Sequence, residues 1–308
     1  MKTPSRPARG GGVFVYRRGA RGLSTCAAAL LSILGACKES EPEGPTKPEP
    51  SSAPEQSAAK PPDPLPNTAS CPEEMVNAGG YCIDKYEAHL VRVDSPETVL
   101  PHFEHPKRKV KYMARSRAGI APQAYINRME AARACKAAGK RLCSAREWYG
   151  ACAGSRGTRY PYGDEEVAGV CNTGKTHLMQ KLFGPNVKYT YAAHYNSPRL
   201  HKEPGFLAKS GEYDGCVSDY GVYDMVGNLH EWVADDVSRK LLKEVPVEFG
   251  PELLGPKGSG AFIGGYFSSQ GEHGRGCAYL TATHSPDYHD YSIGFRCCAG
   301  ELGEGEPR

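Results

Sequence analysis

The chain has 308 residues, a formal net charge of +3 on 24% charged side chains, 36 glycines, 25 prolines and a mean hydropathy of -0.53. That composition excludes a membrane bundle and fits a loop-rich soluble body. Basic residues crowd the first 22 positions and no basic stripe interleaved with aromatics follows, so nucleic-acid binding is excluded as well.

Residues 1–22 carry Lys2, Arg6, Arg9, Arg17, Arg18 and Arg21 with no acidic side chain, and Leu23 to Ala36 form an apolar stretch. A basic start, a short apolar run and small residues at its end describe a signal peptide over 1–36. The run is shorter than the ~20 residues that spanning hydrocarbon demands. Leu34-Gly35-Ala36-Cys37 resembles a bacterial lipobox, in which the cysteine thiol is acylated and becomes the mature N-terminus. The expectation is a lipoprotein held to the membrane through Cys37, because more than one acyl tail gives stable anchoring. Lys38 in place of aspartate points to the outer membrane or periplasmic face of the envelope rather than the inner membrane. Residues 37–70, rich in Pro, Glu, Ser and Ala, cannot bury enough apolar surface to offset ordering entropy. They read as a disordered tether.

From Cys71 to Gly300 the texture is that of a folded domain of roughly 230 residues, enough for a sizeable core, and 301–308 read as a flexible tail. Ten of the twelve cysteines fall in this body. An even count behind an export signal reads as a disulfide framework, and no C-x-x-C pair supports zinc instead. Cys71 and Cys82 are close enough to pair around a Gly79-Gly80 turn. Asn127 with Glu130, and Ser144 with Glu147, have the residue types of two capping boxes. The first predicts a helix with apolar positions Met129, Ala132, Cys135 and Ala138, ending at Gly139. The second predicts a helix through Trp148 and Cys152. From about Tyr160 to Arg296, short apolar runs broken by Gly, Pro, Asn and Asp complete an α+β pattern poor in regular structure.

Several stretches in order then resemble the formylglycine-generating, or sulfatase-modifying factor, family. They are Tyr81–Glu87, Ala131–Cys135 with Gly139–Leu142, Ser144–Trp148, Tyr160–Asp164, Gly221–Trp232, Gly264-Gly265 and Gly294–Cys297. The resemblance covers essentially the whole body and implies a disulfide-rich variant of the C-type lectin-like fold. It also implies two disulfides, Cys135–Cys297 and Cys152–Cys277. Of the four remaining cysteines, the pairs Cys171–Cys216 and Cys143–Cys298 are guesses. A structural Ca2+ is implied on the side chains of Asp224 and Glu231 and the carbonyls of Gly227 and Leu229, since hard oxygen donors suit that ion. The competing reading has Asp224 and Glu231 solvated or paired with arginine. A second family calcium site would fall at Asn172 and Thr173.

The resemblance breaks at the active centre. Active members hold Cu(I) between two cysteine thiolates, and soft monovalent copper needs soft sulfur donors. Here the two positions are Ser269 and Gly274. The family's serine after Gly-Gly is Tyr266, and its tryptophan before the motif's glutamate is His230. No catalytic residues are therefore assigned and copper is not expected. His230, His273, His284 and His289 are the candidates for a different metal site. The expected function is a non-catalytic binding or scaffold module of the bacterial cell envelope. Its ligand face would comprise His230, Tyr266, Ser269, His273 and Arg275, with Phe267, Tyr279, Tyr288 and Tyr291 adding aromatic character, and an envelope protein, peptide or glycan as partner. The alternative is a metal-dependent oxidoreductase of the sulfatase-modifying type.

Overall fold

Turn and cap chemistry set the boundaries of the regular elements. The structure is a computed structural model and describes residues 71–248 and 253–300, all within one compact unit. The expected signal peptide, Cys37, the tether and the 301–308 tail lie outside the described residues. Among the described residues the strands are β1 (Met75–Asn77), β2 (Cys82–Asp84), β3 (His89–Arg92), β4 (Ser95–Val99), β5 (Tyr112–Arg115) and β6 (Arg141–Leu142). They continue with β7 (His230–Asp236), β8 (Gly260–Ile263), β9 (Leu280–His284), β10 (Ile293–Phe295) and β11 (Cys297–Ala299). The α-helices are α1 (Arg128–Ala137), α2 (Ala145–Ala153), α3 (Leu178–Phe183) and α4 (Leu241–Glu244). No helix among the described residues is long and apolar enough to cross a membrane.

Both capping boxes form. Asn127 Oδ1 accepts from Glu130 N at 2.9 Å while Glu130 reaches back to Asn127 N, and Ser144 and Glu147 repeat the exchange. These side chains satisfy amide donors that a helix leaves orphaned at its start. The buried stripe of α1 differs from the apolar spacing expected. Ala131, Ala134 and Cys135 point inward, whereas Met129 is 47% exposed and Ala132 faces solvent. The bond from Cys135 to Cys297 fixes which face turns in, and the residues one and four before Cys135 share that face.

The strands make three small sheets, ordered β1-β2-β11-β6, β10-β7-β8-β9 and β4-β3-β5. In the second sheet β10 pairs parallel to β7, with Ile293 opposite His230 and Phe295 opposite Trp232. The last strand among the described residues, β11, lies between β2 and β6 in the first sheet. Trp148, Trp232, Phe267, Phe295 and Ile83 are fully buried and anchor the apolar core.

Five disulfides join Cys71–Cys82, Cys135–Cys297, Cys143–Cys298, Cys152–Cys277 and Cys171–Cys216. These are the two pairs the resemblance implies, the Cys71–Cys82 pair that closeness in sequence suggests, and the two guessed pairs. The Cys135–Cys297 bond spans 162 residues. Closing so long a loop restricts the unfolded chain strongly, by about 4–5 kcal/mol in the chain-entropy account. Replacing both cysteines with alanine is expected to lower the unfolding free energy by about that much. Guanidinium titration of the oxidised protein would measure it, and a loss under about 1 kcal/mol would contradict a main bracing role for this bond.

Candidate ligand cleft

Strand β7 carries the centre of the molecule, and the loop before it explains its placement. Asp224, Gly227 and Asn228 all adopt positive φ, at 57°, 84° and 56°. A Cβ on Gly227 would lie 2.3 Å from the Asn172 carbonyl oxygen, so only glycine fits. Asn228 accepts from Ala208 N at 2.9 Å and from Asn172 Nδ2 at 2.8 Å, and it donates to Glu87 Oε2 at 2.5 Å. The second oxygen of Glu87 accepts from Leu229 N.

One step further, Glu231 meets Arg296. Nε and Nη2 of Arg296 donate to its two carboxylate oxygens at 2.6 and 2.7 Å, and Trp148 Nε1 adds a third donor at 2.7 Å. Both members of the pair are fully buried. Arg296 also donates to the carbonyls of Asp84 and Tyr223. The two side chains expected to hold calcium are therefore engaged inside the protein. Both oxygens of Glu231 serve Arg296, and Asp224 Oδ2 accepts from Gly211 N at 2.6 Å. As placed, this set does not fit a calcium ion; the arginine-paired reading of Glu231 describes it. At the second expected calcium position, Asn172 Nδ2 donates to Phe206 O and to Asn228, and its own Oδ1 is buried without a partner.

Register carries His230 to a cleft. Its backbone N–H donates to Ser292 O at 2.8 Å, and its ring lies 4.9 Å from Phe262, 4.9 Å from Tyr266 and 5.5 Å from Tyr279. Beside it opens a cleft of about 420 Å³ lined by His177, Tyr191, Tyr195, His273, Glu272, His284, Tyr288, Asp290 and Tyr291 as well. Burial pushes the His230 imidazole well below its usual range, and the nearby His273 and His284 act in the same direction. Burial likewise lowers His177 and His284. Tyr279 donates to Glu272 Oε1 at 2.8 Å, and Tyr288 donates to Asp290 Oδ2 at 2.6 Å. Burial raises the Asp290 carboxyl.

The expected ligand face is brought together only in part. His230, Tyr266 and His273 line this cleft; Ser269 and Arg275 line a neighbouring depression, with Tyr279 shared between the two. Tyr266, Phe267, Tyr279 and Tyr291, expected at the surface, are buried. The Gly264-Gly265 turn, with both φ positive, folds this segment back onto β7. Arg275 was expected to make the face cationic; its place in the other depression removes that charge. Of the four candidate metal histidines, His289 is outside the cleft lining, stacked on His105 at 4.0 Å. Among the described residues no group of three or more His, Cys, Asp or Glu is arranged to hold a metal ion. His177, Tyr191 and Tyr195 were not foreseen, because they come from segments without periodic apolar pattern.

The copper positions are equally plain. Ser269 Oγ accepts from Tyr266 N at 2.8 Å, closing a local turn. Gly274 has φ +106°, and a Cβ there would lie 2.8 Å from the Ala278 carbonyl. All ten cysteines among the described residues are disulfide-bonded.

Two measurements test the polar centre. Arg296→Met is expected to cost about 3–5 kcal/mol by stranding Glu231, and Glu231→Leu added to it is expected to recover part of the loss in denaturant titration. Asp224 is raised to about 7 by burial; the Gly211 N–H and Arg296 oppose the shift and the Glu231 charge adds to it. A carboxyl raised in the folded state favours folding most below its unfolded value. That contribution disappears as pH climbs from about 4 through about 7. Asp224→Asn, which tolerates the same backbone, is expected to flatten the fall in thermal midpoint over that window.

A family model described as sulfatase-modifying factor enzyme 1-like domain matches residues 67–300. No curated protein matches the chain. Among solved structures, the crystal structure of CarF is similar at 18% identity and a TM-score of 0.35, covering 60% of this chain and 69% of CarF. PvdO from Pseudomonas aeruginosa is similar at 16% identity and a TM-score of 0.41, over 71% of this chain and 79% of PvdO. Treponema denticola variable protein 1 is similar at 12% identity and a TM-score of 0.37, over 74% of this chain and 99% of that one. Since the matched segment runs from ahead of Cys71 to Gly300 and takes in the whole disulfide-braced body, the chain belongs to the family of sulfatase-modifying factor enzyme 1-like domains.

Proposed function

We propose that this chain is a non-catalytic, ligand-binding member of its family, anchored in the bacterial cell envelope through an acylated Cys37. The observation that carries the first part is the state of the thiols. Formylglycine chemistry on this scaffold needs two free thiolates for Cu(I), and the ten body cysteines are all spent on crosslinks. Serine at 269 offers a hydroxyl already engaged with Tyr266 N, and a cysteine at 274 would collide with Ala278 O. Neither position suits a soft metal. The envelope reading is supported by the basic start, the short apolar run and the Leu34-Gly35-Ala36-Cys37 sequence. A location outside the inner membrane would also separate the protein from unfolded sulfatase chains awaiting export.

The ligand face in this reading is the cleft beside His230. Large tyrosine surfaces backed by a few fixed polar groups are the usual makings of a recognition site. The purified full-length chain is expected to leave a Cys-x-Pro-x-Arg peptide unoxidised in the presence of Cu(I), as mass spectrometry would read. Aldehyde formation at enzymatic rates would overturn the proposal in favour of an oxidoreductase. In pull-downs from envelope extract, Tyr191→Ala with His284→Ala is expected to lose material that the wild-type chain retains; both rings stand at the cleft wall rather than in its buried floor. Identical recovery by the two proteins would remove the cleft from the proposal.

A further inference from the structure

We propose that the cleft beside His230 takes a methylated ammonium group, an assignment that rests on this cleft being the ligand site. Six tyrosines line it: Tyr191, Tyr195, Tyr266, Tyr279, Tyr288 and Tyr291. Two carboxylates, Glu272 and Asp290, stand among them, and no lysine or arginine lines the cleft. A cation over aromatic faces gains from the ring quadrupole, most where water is excluded. Tyr279 and Tyr288 each donate their hydroxyl proton to one of these carboxylates. Such a bond polarises the phenol and enriches its ring. An anionic ligand would meet two carboxylates and no counter-charge.

The acceptors already in use select among cations. Both oxygens of Asp290 are occupied, one by Tyr288 and the other by Ser292 N and Oγ. Glu272 accepts from Tyr279 through Oε1 and from Gln270 N through Oε2. A primary ammonium or guanidinium group brings several N–H donors that would need acceptors of their own. A nitrogen capped by methyl groups brings none and needs only charge and contact. Nδ1 of His230 and Nδ1 of His177, both in cleft-lining residues, are buried with no partner in the protein. Buried polar atoms of that kind ordinarily find a partner, and a hydroxyl elsewhere on the ligand would satisfy one of them.

Choline is the probe. Isothermal titration of the full-length chain in detergent with choline, and with the uncharged isostere carrying carbon in place of nitrogen, is expected to show saturable choline binding. The isostere is expected to bind at least about tenfold more weakly, and Tyr191→Ala and Glu272→Gln are each expected to weaken choline by about three- to tenfold. Equal affinity for choline and its isostere, or no choline binding, overturns the ammonium assignment. If the Tyr191 and His284 substitutions still abolish capture from envelope extract, that failure leaves the ligand-site reading standing; without that difference both fall. The source of the group is read by flotation of the chain lacking residues 1–37, and so without the apolar run and the acylated cysteine, with phosphatidylcholine or phosphatidylglycerol vesicles. Flotation with the former alone, reversed by free choline, assigns a lipid headgroup, and choline binding without flotation assigns a free small molecule.

Discussion

The ion pair between Arg296 and Glu231 is the constraint around which the body is arranged. Two opposite charges are taken wholly out of water, and each must find every hydrogen bond it needs within the protein. Meeting that demand fixes distant parts of the chain against one another. Glu231 sits on β7 and Arg296 between β10 and β11, while Trp148 comes from α2 and the accepting carbonyls from Asp84 and Tyr223. None of these elements is long enough to be stable alone. The pair supplies a shared point where the three-residue strands of two sheets must coincide.

Around that point the protein concentrates acid groups that solvent would normally keep ionised. Glu87 is pushed well above the usual carboxylate range by burial, with Asp224 and Glu231 adding to the shift. Lys140 meets the buried Asp84 at 2.6 Å. The polar centre is thus densely bonded internally, with both oxygens of Glu231 given to Arg296. One residue away, beside the buried His230, an aromatic-lined cleft begins.

What the sequence made legible is what local chemistry dictates. Asn127–Glu130 and Ser144–Glu147 announce two helix starts because a cap depends on only four residues. The cysteines announced a crosslinked body, and the motifs around Gly221–Trp232 and Gly294–Cys297 announced the family. The sheet of β3, β4 and β5 was not anticipated: β4 reads Ser-Pro-Glu-Thr-Val, largely exposed and without an alternating apolar face. The cleft was half legible. His230 and Tyr266 stand in recognisable motifs, whereas His177, Tyr191 and Tyr195 reach it through tertiary packing that no spacing encodes. Whether Tyr266 or Tyr291 faced water depended on how tightly the Gly264-Gly265 turn closed, a property of three dimensions.

Adjacent cysteines on β11 have one more effect. Side chains alternate along a strand, so Cys297 and Cys298 leave opposite faces, one to Cys135 in α1 and the other to Cys143 beside β6. A slip of one residue would hand each sulfur to the wrong side, so the pairing of β11 with β2 and β6 is pinned covalently as well as by its ladder. Because this strand ends the described body, both pins wait for the last segment to arrive. The framework stays unlatched until its closing residues are in place, and a chain lacking them would keep Cys135 and Cys143 without their native partners.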